Sequence, residues 1–274
     1  MKPETIYLVA NTSKPDTLPV LEEMRAWCRR EGIAAVPVDA SVPPGDAGGI
    51  VVALGGDGTV LRAASLFAEV GLPILGVNIG SLGFLTQVGL DGWAAALEDV
   101  VEDRASIEER MRLAFRSEGT RGSVLNDLVV TGTTDSRFCE VDLSWGDGLV
   151  SGYPGDGLIL ATATGSTAYS LSAGGPVIVP PAACILATPL AAHKLGLRPV
   201  IFPAEEVLRV RSRTEVQLIG DGDFVTRLPV NSEIVIRRSD HPTRLVRLGS
   251  ASTFFEVLDA KLNWADPTGR RCDD

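Results

Sequence analysis

Ile50-Val51-Val52-Ala53-Leu54 is an uninterrupted apolar run, and Gly55-Gly56-Asp57-Gly58-Thr59 follows it directly. A strand without polar alternation is the kind buried on both faces of a parallel sheet. The glycines end it, and a helical pattern resumes over 60–68, so the unit reads strand–turn–helix. At that junction a helix N-terminus offers unpaired N–H donors and the positive end of its dipole, both suited to phosphate. Glycine adds access to positive φ and lets a ligand approach the backbone. Asp57 is the unexpected member, because a carboxylate repels phosphate unless Mg2+ or a hydroxyl proton lies between them. It reads as an acid that accepts a proton from an attacking hydroxyl, or as a metal ligand, in phosphoryl transfer. The competing reading is an ordinary Gly-Asp-Gly turn. The stretch is neither G-x-G-x-x-G nor a P-loop, since no Gly-Lys-Ser/Thr occurs.

Outward from this unit, strands are expected over 5–9, 33–38 and 73–77. Leu18, Leu21, Met24 and Cys28 recur at helical spacing before Gly32, and a further helix is expected over 93–101. Strand–helix alternation with short links indicates a doubly wound α/β domain. From Glu109 the texture changes to short strand-like runs at 111–116, 124–131, 138–145, 158–162, 200–202, 207–211, 215–219 and 234–237. Turn signals such as Gly146-Asp147-Gly148 and Gly220-Asp221-Gly222 separate them. Phe254, Val257, Leu258 and Leu262 resume a helical stripe, which ends at Asn263-Trp264-Ala265-Asp266-Pro267. The expected organisation is an α/β domain over 1–102, a β-rich domain over 103–249 and a C-terminal segment over 250–274.

The 274 residues carry 25 Lys+Arg and 35 Asp+Glu, a net charge of −10. This argues against nucleic-acid binding, which favours a basic face. The acidity is uneven: residues 1–103 hold 6 basic and 14 acidic groups (net −8), whereas 198–274 hold 12 of each. Cys28, Cys139, Cys184 and Cys272 form no C-x-x-C, and two histidines exclude a multi-histidine metal site. No stretch approaches the run of about 18 apolar residues that spans a membrane, and a cytoplasmic location is expected.

A second informative stretch runs from Asp156-Gly157 to Gly174-Gly175-Pro176. Seven hydroxyl-bearing residues lie between Thr162 and Ser172, a density suited to a polar, uncharged ligand group such as a ribose or an amide. Helix capping accounts for one or two of them. Tyr169 can stack on a base or pack in the core, and the residues alone favour the core. Asn126-Asp127 interrupts the apolar run 124–130; two polar neighbours in a strand put at least one inside, where it needs partners. A strand end is the alternative.

These motifs together resemble the NAD kinase family: Gly-Gly-Asp-Gly-Thr (55–59), Asn78-Ile79-Gly80-Ser81-Leu82-Gly83-Phe84-Leu85, Asn126-Asp127, and Asp156-Gly157 through the Gly-Ser-Thr-Ala-Tyr-Ser-Leu-Ser-Ala-Gly-Gly-Pro run of 165–176. Thr188-Pro189, His193-Lys194-Leu195, Arg198-Pro199 and the terminal Phe255-Glu256-Val257-Leu258 to Asn263-Trp264 continue the similarity. Gly-Gly-Asp-Gly alone is shared with lipid and phosphofructo-kinases; the Thr-Gly-Ser-Thr-Ala-Tyr stretch is more specific.

The resemblance implies transfer of a phosphoryl group from ATP, or polyphosphate, with Mg2+ or another divalent ion, to the adenosine-ribose 2′-hydroxyl of NAD. NAD is then expected in the crevice between the two domains, and the C-terminal segment is expected to pack back on the first. Asp57 matches the proton acceptor, within the turn Gly55, Gly56, Gly58 and Thr59, and Arg62 lies on the helix that follows. Asn126 and Asp127 match the pair that grips the adenosine side. Arg137, Asp156, Thr167, Ala168, Tyr169 and Ser172 match further NAD contacts, and Ala191 and His193 fall in a segment that often reaches a site across a subunit interface. A homo-oligomer, dimer or tetramer, is implied. Two positions depart from the pattern: Pro154 replaces a basic residue and Asp223 a Gln, both on the ligand-holding side. A lipid or sugar kinase sharing the turn, and a non-catalytic NAD-binding regulator, are the alternative functions.

Overall fold

The computed structural model describes residues 3–38, 48–80 and 83–264. The chain divides into two compact units, 1–108 with 244–274, and 109–243. Cys272, the Ser81-Leu82 pair and the 265–267 end of the helix-breaking stretch lie outside the described residues.

Among the described residues, the first unit is built on a six-stranded sheet in the order Ala34–Val38, Thr5–Ala10, Gly49–Gly55, Ile74–Asn78, Thr243–Arg247, Ser106–Arg110. The pairings of Thr5–Ala10, Gly49–Gly55 and Ile74–Asn78 with one another and with the strand Ala34–Val38 are parallel. Gly49–Gly55 occupies an interior position and is buried throughout, which its lack of polar alternation requires. The helix Thr17–Glu31 lays Leu21, Met24, Trp27 and Cys28 into the core beside Ile6, Leu8 and Val52. Leu18, counted in the stripe from sequence, is 55% exposed; the buried row begins at Thr17 instead. Gly32, at φ +70, ends this helix in the left-handed turn that glycine adopts without strain. The helix Phe254–Leu262 belongs to this unit, and Phe254 packs its ring 5.9 Å from that of Phe84.

The second unit pairs two six-stranded sheets among the described residues. One runs Gly148–Gly155, Cys139–Trp145, Leu208–Ser212, Glu233–Arg238, Leu113–Ser117, Thr120–Val124; the other runs Val200–Pro203, Cys184–Leu190, Gly157–Ala161, Asp127–Thr131, Val216–Gly220, Asp223–Leu228. Leu113, Val141, Val210 and Ile236 of the first meet Leu128, Val130, Leu158 and Ile185 of the second in one core. Residues one step out of phase, Val129, Ile159, Ala161 and Leu186, form a separate cluster on the opposite face, covered by Ala173 and Ile178. Period-two alternation thus gives the second sheet two buried faces.

The single strand expected over 124–131 is two strands, Thr120–Val124 in one sheet and Asp127–Thr131 in the other. The chain changes sheets at Leu125-Asn126.

Candidate active site

The glycine turn lies at the carboxyl end of the central parallel strand, the edge at which α/β sheets present ligand sites. The helix it opens, Asp57–Leu66, begins at the turn itself, earlier than its apolar pattern indicates. Gly55, Gly56 and Gly58 do not have positive φ, contrary to the usual reason for glycine in a turn. At Gly55 the need is steric. A Cβ on Gly55 would fall 2.0 Å from the Thr59 hydroxyl, which is buried beneath it, while Gly56 and Gly58 face open space. Thr59 therefore packs the turn from inside, and the outward backbone is left clear.

Both oxygens of the Asp57 carboxylate are held. The Phe84 N–H donates to Oδ2 at 2.9 Å and the Leu85 N–H to Oδ1 at 3.0 Å. Ile79 N–H donates to the Gly55 carbonyl at 2.7 Å, and Asn11 N–H to the Leu54 carbonyl at 3.0 Å. Three turns at the carboxyl edge are thus tied to one another. Arg62 projects from the helix as an exposed side chain.

In the second unit, Asp221 organises the Asn126-Asp127 segment. Its carboxylate accepts from the N–H groups of Leu125 (2.8 Å), Asn126 (2.7 Å) and Asp127 (3.2 Å). Its own N–H donates to the Asp127 carbonyl at 3.0 Å, and its φ of +49 is that of the hairpin turn before Gly222. These bonds replace the ladder where the chain changes sheets, which satisfies the backbone there. The sequence reading placed Asp221 in a turn separator and missed this role. Its only signal was the acid between two glycines.

Asp127 is 5% exposed and accepts from the Tyr169 N–H. Burial, then the neighbouring Asp221 charge, pushes its carboxyl up to about 7. Burial also raises Asp221, but three amides and the guanidinium of Arg112 oppose that shift. The three amides and Arg112 thus favour the charged form at Asp221. Arg112, fully buried, donates to Ser123 and to Thr243 Oγ1.

The hydroxyl-rich segment divides into two sets. Thr162 Oγ1 donates to the Leu125 carbonyl at 2.6 Å and accepts from Gly165 N–H at 3.1 Å. Ser166 bonds the Ala163 carbonyl, Ser170 lies 2.7 Å from Thr188 Oγ1, and Thr164 accepts from buried Arg110. All four of these hydroxyl residues are buried, so helix and loop closure consume more of the cluster than one or two caps would. Thr167, Ala168, Tyr169 and Ser172 remain at least partly exposed. Tyr169 is 46% exposed and is not a core residue, as the residues alone had favoured. Gly165 lies so close to Asn126 that a Cβ would come within 2.1 Å of its carbonyl oxygen.

The remaining predicted residues form a second group. Asp156 donates its N–H to the Leu190 carbonyl, and His193 donates its N–H to the Pro154 carbonyl. The His193 ring lies 5.4 Å from Phe138, beside Arg137. Ala191 stands at φ +46. The Asp156 charge adds to burial in raising the thiol of Cys139 to about 11.

The two groups sit at opposite ends of the strand Gly157–Ala161. Ala161 pairs with Asp127, whereas Gly157 pairs with Thr131 and Leu190. Five residues of extended chain separate them by roughly 17 Å. Asn126, Asp127, Thr167–Tyr169 and the Asp221–Asp223 turn are together at one end; Arg137, Asp156, Ala191 and His193 are at the other. Asp57 belongs to the first unit.

Comparison with known proteins assigns both regions. Residues 46–105 match the ATP-NAD kinase N-terminal domain and residues 125–248 the ATP-NAD kinase C-terminal domain. The chain is 36% identical to the NAD kinase of Acidobacterium capsulatum over 95% of its own length and 99% of that relative's. It is 36% identical to the NAD kinase of Heliobacterium modesticaldum over 94% and 98%. Among solved structures, yeast NADH kinase complexed with NADH superposes with a TM-score of 0.84 at 22% identity, over 100% of this chain and 90% of that one. An Archaeoglobus fulgidus NAD kinase in complex with ATP gives 0.78 at 24% identity, over 94% and 98%. The fold is that of these kinases, and the chain, matched along nearly its whole length, belongs to the NAD kinase family.

Proposed function

We propose that this protein phosphorylates the 2′-hydroxyl of the adenosine ribose of NAD, with ATP as donor, to give NADP. The observation that carries the reading is the fixed carboxylate of Asp57 at the carboxyl edge of the parallel sheet. A carboxylate offers about four acceptor sites. The two amides of Phe84 and Leu85 use two, which leaves capacity to orient and receive the proton of an attacking hydroxyl. A loose phosphoryl-transfer transition state places little demand on the strength of the base and much on position.

The outward backbone of Gly56 and Gly58 faces the donor phosphates. Asn126 and Asp127 hold the adenosine side, with Thr167, Ala168, Tyr169 and Ser172 as further contacts. Among the described residues there is no cluster of three or more acidic, His or Cys side chains for a resident metal. Mg2+ typically binds through substrate phosphates and one or two carboxylates. A divalent ion arriving with the donor would neutralise phosphate charge there.

Arg137, Asp156, Ala191 and His193, set apart at the far end of the strand Gly157–Ala161, serve the site of a second copy in a homo-oligomer. Mixing a D57N chain with an H193A chain restores activity if the groups act in trans; no restoration removes this assignment. The function itself is tested by NADP formation from NAD, ATP and Mg2+. Tight NAD binding without turnover favours a regulator, and phosphorylation of a lipid or sugar favours the related kinases.

A further inference from the structure

Among residues 1–103, six basic residues face fourteen acidic ones, so any cation near the glycine turn stands out. Arg25 is paired with Glu22 on the helix surface. Arg29 and Arg30 occupy the last turn of the helix Thr17–Glu31, which runs back against the strands and ends at the opposite, amino edge of the sheet. Lys2 is outside the described residues. Of these six, Arg62 and Lys14 remain near the carboxyl edge.

Lys14 lies in the turn that follows the strand Thr5–Ala10. Its side chain is half-buried, and its ammonium donates to the Ile79 carbonyl. Ile79 in turn donates its N–H to Gly55, and Lys14's own turn is tied to Leu54 through Asn11 N–H. The Lys14 ammonium is thereby drawn across the sheet edge to Ile79, the residue hydrogen-bonded to Gly55. At Gly80, where φ is +123, a Cβ would stand 3.7 Å from Nζ, so the position next to the ammonium is bare of side chain. An ammonium carries three donors. One is used by Ile79, and among the described residues no other acceptor takes the remaining two.

We propose that Lys14 is a binding residue for the phosphate chain of the phosphoryl donor. The inference rests on the kinase reading and adds to it a direct cationic contact from the first turn of the sheet. A bare carbonyl does not require an ammonium; a polyanion beside an acidic turn in an acidic unit does. The shared chemistry is a chain of phosphates, whether in ATP or in inorganic polyphosphate.

The test compares Lys14→Met and Lys14→Arg with the wild-type protein. Lys14→Met raises the KM for ATP about tenfold or more, the scale of one charged hydrogen bond, and leaves the KM for NAD within about twofold of wild type. Lys14→Arg recovers most of the loss. Repeating the assay with inorganic polyphosphate shows which donor the contact serves. An unchanged KM for ATP overturns the proposal. So does a parallel rise in both KM values with a lowered melting temperature, because that pattern belongs to a strut under Ile79. Calorimetric titration with a non-hydrolysable ATP analogue and Mg2+ needs no turnover: equal affinity in wild type and Lys14→Met overturns the Lys14 contact even where the kinase reading fails. Absence of NADP formation by the wild-type protein counts against the kinase reading alone.

Discussion

A Cβ added to Gly83 would lie 2.0 Å from Oδ1 of Asp57. The carboxylate occupies the space that any other residue at 83 would fill, and the next two amides hold it there. Gly83→Ala is therefore expected to displace Asp57 without touching it chemically. Turnover should fall, while NAD affinity, measured by calorimetry, stays near wild type. Unchanged kcat in Gly83→Ala would show that the observed carboxylate position is not the working one.

Asp57→Asn removes the proton acceptor but keeps an oxygen for one of the two amides. The fold and NAD affinity should persist, and kcat should drop by at least about 10²-fold, the usual range for a lost general base. Stopped assays for NADP decide this, and near-normal turnover would sink the assignment.

Asp221→Ala leaves three successive N–H groups, those of Leu125, Asn126 and Asp127, without their acceptor. Each unmet buried donor costs about 1–3 kcal/mol, so the loss of stability should reach at least about 2 kcal/mol. The KM for NAD should rise more than that for ATP, because the segment that moves is the one assigned to the adenosine side. Urea denaturation and paired KM measurements check the two parts separately.

The raised carboxyl of Asp127 gives a pH signature. In the unfolded chain the group ionises near an ordinary Asp value of about 3.9, but in the folded protein it keeps its proton to about 7. The folded state thus holds more protons between these values, and the group's contribution to stability, complete below about pH 4, is lost as the pH rises through 7. Asp127→Asn does not titrate. Its stability relative to wild type should climb from pH 4 to about pH 7 and level off above, as read from urea midpoints across the range. A difference that is flat, or that falls with pH, contradicts the assignment of the proton to Asp127.

Thr162 joins two buried groups, the Leu125 carbonyl and the Gly165 N–H. Thr162→Val keeps the shape and removes both bonds. A cost of about 1–3 kcal/mol is expected, and a change below about 0.5 kcal/mol would mean that the loop closes by other means.

The first unit was legible because its central strand Gly49–Gly55 carries no polar side chain, its parallel neighbours are mostly apolar and its helices carry a clear row. Even so, Leu18 fits the row by spacing and lies on the surface. Ser106–Arg110, at the edge of the first unit's sheet, is mostly exposed and shows no apolar run. The second unit was less legible: Gly148–Gly155 contains three glycines and a proline, and Cys184–Leu190 contains Pro189. Pro189 is tolerated because the neighbour Val200–Pro203 pairs only with residues 184–187. The run 124–131 looks continuous because hydropathy cannot register that a distant carboxylate takes its amides. Asp221 was passed over for the same reason, while Asp223 was singled out only as a departure from the family pattern. Hydroxyl density likewise does not distinguish Ser166, which is sealed inside, from Ser172, which is open.

Asp221 lies 94–96 residues after the amides it receives. During synthesis the Asn126-Asp127 segment leaves the ribosome long before its acceptor does. The strand Thr243–Arg247, which completes the first sheet, is made later still. Neither unit can close on a nascent chain until almost all of it has been translated. Contacts of such long range slow folding, and both incomplete sheets leave strand edges open in the interval. Nascent chains stalled between residues 130 and 220 should therefore be protease-sensitive and unable to retain NAD, and the two properties should be gained together once the hairpin bearing Asp221 is free of the exit tunnel.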